Sequence, residues 1–213
     1  MATYMIDTHC HLVDNKFKSD VDDVIERAKS SGVKHAVVGL DFTERYNIGP
    51  EKMVIQKEVL AKHIEWAKQF ELPLTVHSRS ACGDTVDFLI ENSATMVALH
   101  AFNGTLEEAL RCLQAGFFFS IPPSFTTGDH VQYFTNQFSA ALQKRFLIDA
   151  IPLEKLLLET DSPVLGPIRG ERNEPANLRL SAEFIADVKK VPVEEVISRT
   201  TENAEMLLNL KKE

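Results

Sequence analysis

Four histidines and one aspartate carry the chemistry visible in this chain. "IDTHCHLVD" (residues 6–14) holds His9 and His11 one residue apart, just after an apolar start. "LPLTVHS" (72–78) brings His77 to the end of an apolar run, "TMVALHA" (95–101) does the same with His100, and "LLLETD" (156–161) closes on Asp161. On an extended chain, residues i and i+2 face the same side, so His9 and His11 can converge on one point. Imidazoles with a carboxylate suit zinc, manganese or a similar divalent ion. Such an ion lowers the pKa of its water from 15.7 to about 7, which supplies hydroxide at neutral pH. Two ions about 3.5–4 Å apart hold both the attacking and the leaving oxygen of a phosphoryl centre. Asp161 would ligate one ion and take the proton from the attacking water. One histidine at a strand end is ordinarily a hydrogen-bonded structural residue. Four at independent strand ends are much harder to obtain by chance. His35, His63 and His130 lack that placement and read as ordinary residues.

The elements that must position these groups alternate along the chain. "KHAVVGL" (34–40), 72–78, 95–101, "GFFFSI" (116–121) and "KLLLET" (155–160) are short apolar runs without a clear polar face, as buried parallel strands are. "TYMIDTH" (3–9) is a sixth candidate. Amphipathic helices are predicted between them. Ser19–Ser31 carries Val21, Val24, Ile25 and Ala28 on one stripe. A longer helix starts near Pro50 and runs to about Phe70. Thr105 and Glu108 make a capping box before Leu106, Ala109, Leu110 and Leu113, a stripe ended by Gly116. Helices over 181–190 and 193–208 close the chain. Repeated strand–helix units predict a parallel sheet covered by helices. In such folds catalytic groups gather at the carboxyl ends of the strands, where these ligands stand.

The bulk numbers frame that reading. The 213 residues suit a single domain, 1–213, with no linker or low-complexity run. Three widely spaced cysteines, an odd number, argue against a disulfide framework and fit a reducing compartment. No signal peptide is read at the start, and no run approaches the roughly 20 apolar residues of a membrane span. An intracellular location, cytoplasmic or nuclear, and no membrane partner are expected. The formal charge of −8 excludes binding nucleic acid by phosphate neutralisation alone. Action on a phosphodiester would draw its cations from metal and a few local arginines.

At this point the residues resemble a known family. "DTHCHL", "LPLTVHSR", "HAFNG", "LLLETDSP" and "RNEP" occur in the order seen in the TatD deoxyribonucleases. The match runs from residue 5 to about 40 and again from 38 to the C-terminus, and looks closest to an animal branch of the family. The resemblance implies a TIM-barrel-type α/β fold and a divalent-metal-dependent hydrolase of phosphodiester bonds acting on DNA. It implies two ions (zinc, magnesium or manganese) per chain. His9 and His11 would bind the first, with Asp161 nearby, and His77 and His100 the second. Arg79 and Arg172 would contact phosphate, while Asn173 and Glu174 shape their loop.

The chain also departs from the family pattern. A family strand close to "GEVGLDF" supplies a glutamate that bridges both metals, and here "HAVVGLDF" puts Val37 at that position. Text resembling the second strand passes directly into text resembling the end of the fourth, near 37–39, so roughly forty to fifty residues look missing. That leaves about six β/α units where a closed barrel has eight. Three accounts stay open: a variant transcript or gene model lacking an internal segment, a smaller or open barrel, and exposed edges that pair with a second chain. Valine cannot ligate a metal, so the second ion would be weak or absent. Asp41 and Glu44 read as solvated acids rather than replacements. The alternatives to a working nuclease are an inactive metal- or partner-binding relative and a metal-dependent amide or ester hydrolase.

Overall fold

The computed structural model describes residues 4–9, 19–20, 23–24, 27, 40–41, 49–126 and 135–210. Six strands and six α-helices are described there. The strands are β1 Leu40–Asp41, β2 Leu74–Val76, β3 Ser78–Arg79, β4 Val97–His100, β5 Phe118–Ile121 and β6 Leu156–Leu158. The helices are α1 Pro50–Phe70, α2 Cys82–Glu91, α3 Leu106–Gln114, α4 Thr135–Ala150, α5 Leu178–Lys189 and α6 Val193–Leu207. Four strands form one sheet in the order β2–β4–β5–β6, and β1 pairs with β3 in a short second one. Every pair is parallel. The strands of the larger sheet are short and mostly apolar on both faces, because helices cover the crossovers.

The N-terminal segment continues the larger sheet at its other edge. The Thr8 N–H donates to the Leu158 carbonyl at 3.0 Å, and the Asp161 N–H to the His9 carbonyl at 2.7 Å. Residues 4–9 thus run beside β6 without a regular strand ladder. Thr201 of α6 holds this edge by donating to the Tyr4 carbonyl at 2.9 Å.

Strand alternation divides the interior. Val97, Leu99, Phe119, Ile121, Leu156 and Leu158 pack with the buried faces of the helices. Their neighbours Ala98, Phe118 and Leu157 point the other way, where they meet Ile6, Ala204 and Leu207. Side chains two residues on, His100, Ser120 and Glu159, fall on this second face by the period of two. The same alternation that builds the core therefore aims three polar groups inward beyond its last apolar layer.

Several helix boundaries follow local chemistry. Pro50 opens α1, and Glu71 ends it at a left-handed φ of 53°. The Thr105–Glu108 capping box opens α3, and Gly116 at φ +83° supplies the reversal after it. One expectation needs correction: Leu110 is 48% exposed, and Cys112 is buried in its place. With Ala109 and Cys112 innermost, a residue one step past Ala109 is swung about 100° away from the sheet. α2 and α4 were not picked out from the sequence pattern. In α4 the apolar residues follow no single stripe: Leu147 and Ile148 are buried, while Leu142 and Phe146 are exposed. The expected helix over 19–31 is helical at Asp23, Val24 and Arg27, and its remainder lies outside the described residues. His11, His35, Val37, Glu44 and His130 also lie outside them. No helix among the described residues is long and apolar enough to cross a membrane.

Candidate metal centre

His9, His100 and Asp161 converge, each buried, with one ligand atom from each lying within 4.8 Å of the others. His9 Nε2 stands 3.2 Å from Asp161 Oδ1. His100 Nε2 stands 3.7 Å from Asp161 Oδ2. The two imidazoles stack, with ring centroids 3.9 Å apart and planes 20° from parallel. His77 also stacks on His100, at 5.3 Å and 26°. Three of the expected ligands thus share one point, and a fourth lies one ring away. This places His100 with His9 and Asp161 rather than apart from them.

The backbone holds these groups under tension. Asp161 has φ 53° and Ala101 φ 43°. Non-glycine residues in this region cost of order 1–3 kcal/mol and persist only where surrounding contacts enforce them. For Asp161 those contacts are visible. Its N–H donates to His9. Asn173, itself buried, donates through Nδ2 to the carbonyls of Thr160 at 2.8 Å and Val164 at 2.9 Å. Asn173 therefore fixes the loop that follows β6, as expected from the sequence.

Two buried acids escaped the sequence reading. Glu159, fully buried, sits 2.8 Å from His100 Nδ1. It also accepts from the Ala101 N–H at 2.9 Å and from the Ser120 hydroxyl. The parallel register aligns His100 with Ser120 and Ser120 with Leu157, and Glu159, two residues past Leu157 on the same face, reaches back to both. Burial opposes the charged form of His100, but Glu159 and then Asp161 outweigh it and hold its pKa above the usual value. Asp7 is the second acid. It accepts from the Thr160 N–H at 2.9 Å, from the Thr160 hydroxyl at 2.6 Å and from the His9 N–H at 3.2 Å. Burial pushes its pKa up to about 8 in spite of these donors. Both acids stand two residues before a ligand, Asp7 before His9 and Glu159 before Asp161. That spacing was the available signal.

The donor set fits a divalent cation. It offers two imidazole nitrogens and a carboxylate, with a carboxylate backing the far nitrogen of one imidazole, the arrangement that fixes ring orientation in metal sites. Glu159 and Asp161, gathered at two histidines in a low-dielectric interior, also favour a cation among them.

A cleft opens beside the cluster. His77, Arg79, His100, Asn103, Phe125 and Lys144 contribute to its lining. Arg79 is close enough to depress the His100 pKa. Lys144 lies 4.4 Å over the Phe125 ring, and burial lowers its pKa. Lys144 comes from α4, and nothing in its sequence surroundings marks it. The cleft continues both ways. Arg79 and Asn103 are shared with a depression reaching Cys82 and Glu108. Ser124 and Leu165 are shared with another reaching Ile168 and Arg169. Arg172 is held elsewhere, its guanidinium donating to both Asp20 oxygens at 2.7 and 2.6 Å. Glu174 similarly accepts from Arg27.

Comparison with known proteins gives one consistent result. The family model described as TatD related DNase matches residues 36–209. The human protein "Deoxyribonuclease TATDN3" is 44% identical over 181 residues, covering 85% of this chain and 61% of that protein. The chain thus spans about 60% of the length of the curated mammalian relatives it matches. "Uncharacterized metal-dependent hydrolase YabD" of Bacillus subtilis is 30% identical over 264 aligned positions, covering 97% of this chain and 99% of that one. The chain has 213 residues, so at least 51 of those 264 positions face no residue of it. Among solved structures, the TatD homologue YJJV of Escherichia coli superposes with a TM-score of 0.73 at 21% identity, over 97% of this chain and 98% of that one. The fold is therefore the TIM-barrel-type α/β fold of these proteins, and the chain belongs to the TatD related DNase family.

Proposed function

We propose that this chain is a divalent-metal-dependent hydrolase of phosphodiester bonds, with DNA as its substrate. The convergence of His9, His100 and Asp161, backed by Glu159, is the observation that carries the reading. These three residues would hold zinc, manganese or magnesium. The ion when bound would supply Lewis acidity and an acidified water.

The chain's own groups do the rest. Glu159 keeps His100 oriented with Nε2 toward the shared point and raises its basicity. Asp161, aimed there by its left-handed backbone, accepts the proton of the attacking water. Arg79 and Lys144 line the cleft beside the histidines, where they bind and orient the phosphate. The cleft's continuation on both sides suits an extended strand rather than a single nucleotide. Arg172 contributes charge from its loop, at longer range while Asp20 engages it. His11 would join His9 at the first ion, and His77, stacked on His100, would serve a second, weaker one, because Val37 stands where the family has its bridging glutamate.

The 51 or more unmatched positions support our reading of a segment absent near 37–39 within a single domain. Free thiols at Cys82 and Cys112 suit an intracellular, reducing setting.

The test is release of nucleotides from end-labelled DNA by purified protein with Mn²⁺, Mg²⁺ or Zn²⁺. We expect product well above that of Asp161→Ala and His100→Ala. Wild-type protein that releases no more than those variants under any of the three metals would sink the proposal.

A further inference from the structure

Lys144 of α4 has surroundings that phosphate binding alone does not explain. It is half-buried, and its Nζ lies 4.4 Å over the Phe125 ring. Among the described residues no hydrogen bond or ion pair engages it. Burial lowers its pKa, with no nearby carboxylate to offset the effect. Arg79 lines the same cleft, yet the two cations differ in what they can do. A guanidinium stays charged, while a desolvated ammonium can give up a proton.

The platform beneath Lys144 is tied to the metal centre. Phe125 is buried and closes the 3₁₀ turn Pro123–Phe125 that follows β5. Within that turn the Ser124 N–H donates to the Leu165 carbonyl at 2.9 Å. One residue before Leu165, the Val164 N–H donates to the Asp161 carbonyl, also at 2.9 Å. Lys144 and Asp161 are therefore positioned through adjoining, cross-linked loops. Of the three cluster residues only His100 also lines the cleft, so the cluster sits at one margin of it. Attacking and leaving oxygens lie roughly in line across phosphorus. A water activated at the cluster enters from that margin, and the leaving oxygen departs into the cleft, where Lys144 stands.

We propose that Lys144 is the general acid of the reaction, delivering a proton from Nζ to the bridging oxygen that leaves phosphorus. This rests on the phosphodiester reading above. The water oxygen bonds to phosphorus, and Asp161 takes its proton. The bond from phosphorus to the bridging oxygen breaks, and its electron pair stays on that oxygen. The oxygen takes the Nζ proton and departs as a sugar hydroxyl, leaving a phosphate monoester. Lys144 then regains a proton from solvent, and Asp161 releases one.

The test compares wild type with Lys144→Arg and Lys144→Gln on two forms of one DNA strand. One is the ordinary diester, and the other carries sulfur at the leaving bridging position. A thiolate leaves without needing a proton. Arginine keeps the positive charge but gives no proton. On ordinary DNA both variants should lose about 10²–10⁴-fold in kcat, the range of general acid catalysis, with Lys144→Arg near the wild-type KM. On the sulfur strand both should come within a few-fold of wild type. Fluorescence anisotropy with metal-stripped protein should show Lys144→Arg binding labelled DNA as wild type does, and circular dichroism should show all three proteins folded. Near-wild-type kcat for Lys144→Arg on ordinary DNA, or equal losses on both strands, would overturn the proposal and leave Lys144 as a phosphate contact. Wild type that cleaves neither strand would instead remove the nuclease reading itself, and this step with it.

Discussion

Asp7-Thr8-His9 and Glu159-Thr160-Asp161 are two runs of the same form, an acid two residues before a candidate ligand. They lie side by side and cross-link, Thr160 donating to Asp7 and Asp161 to His9. Both acids are fully buried, yet their partners differ. Among the described residues, every hydrogen bond to Asp7 comes from a neutral backbone or hydroxyl group, and its pKa rises to about 8 because burial dominates. Glu159 reaches across to His100 Nδ1. One acid ties two chain segments together, and the other orients a ligand. Identical spacing on two neighbouring segments thus gives different work, decided by what the adjacent strands present.

Glu159→Gln gives the largest effect expected from this contrast. It preserves shape and removes the charge behind His100. Divalent-metal affinity should fall about 10–100-fold, read by calorimetric titration, with circular dichroism unchanged. An affinity within twofold of wild type would reduce Glu159 to a structural acid like Asp7.

Asp7→Asn is the matched control, with a smaller effect on metal and a distinct one on stability. In metal-free protein the folded state keeps the Asp7 proton up to about pH 8, whereas the ordinary carboxyl value is 3.8. Between those values the folded state binds more protons than the unfolded one. Through this group, stability is therefore highest in acid, declines as pH rises from about 4 to 8, and levels off above. The variant should lose that slope in thermal melts across the range, with metal affinity near wild type. An unchanged slope would mean that Asp7 is ionised in the fold.

Arg172→Ala should matter least to folding. Its partner Asp20 is part-exposed, and water screens such surface pairs so that they add little to stability. A modest rise in KM for DNA without loss of kcat would fit a peripheral phosphate contact, while Arg79→Ala should raise KM more. The reverse order would make the loop arginine the main anchor.

The comparison also shows what was legible. His9, His77, His100 and Asp161 were readable because each ends an apolar run, and parallel sheets gather such ends. The helix from Pro50 to Phe70 and the capping box of α3 were readable because local chemistry sets them. Glu159 and Asp7 were passed over because a buried acid declares itself only through its cross-strand partners, and those depend on register. Lys144 was out of reach. It arrives from a helix with no coherent apolar stripe, and only packing brings it to the cleft.

The most direct test of the centre is metal titration of purified, metal-stripped protein beside Asp161→Ala and His100→Ala. The account predicts at least one tightly bound divalent ion per chain in the wild type, lost in both variants while each remains folded. Binding of equal tightness and stoichiometry in all three proteins would contradict it.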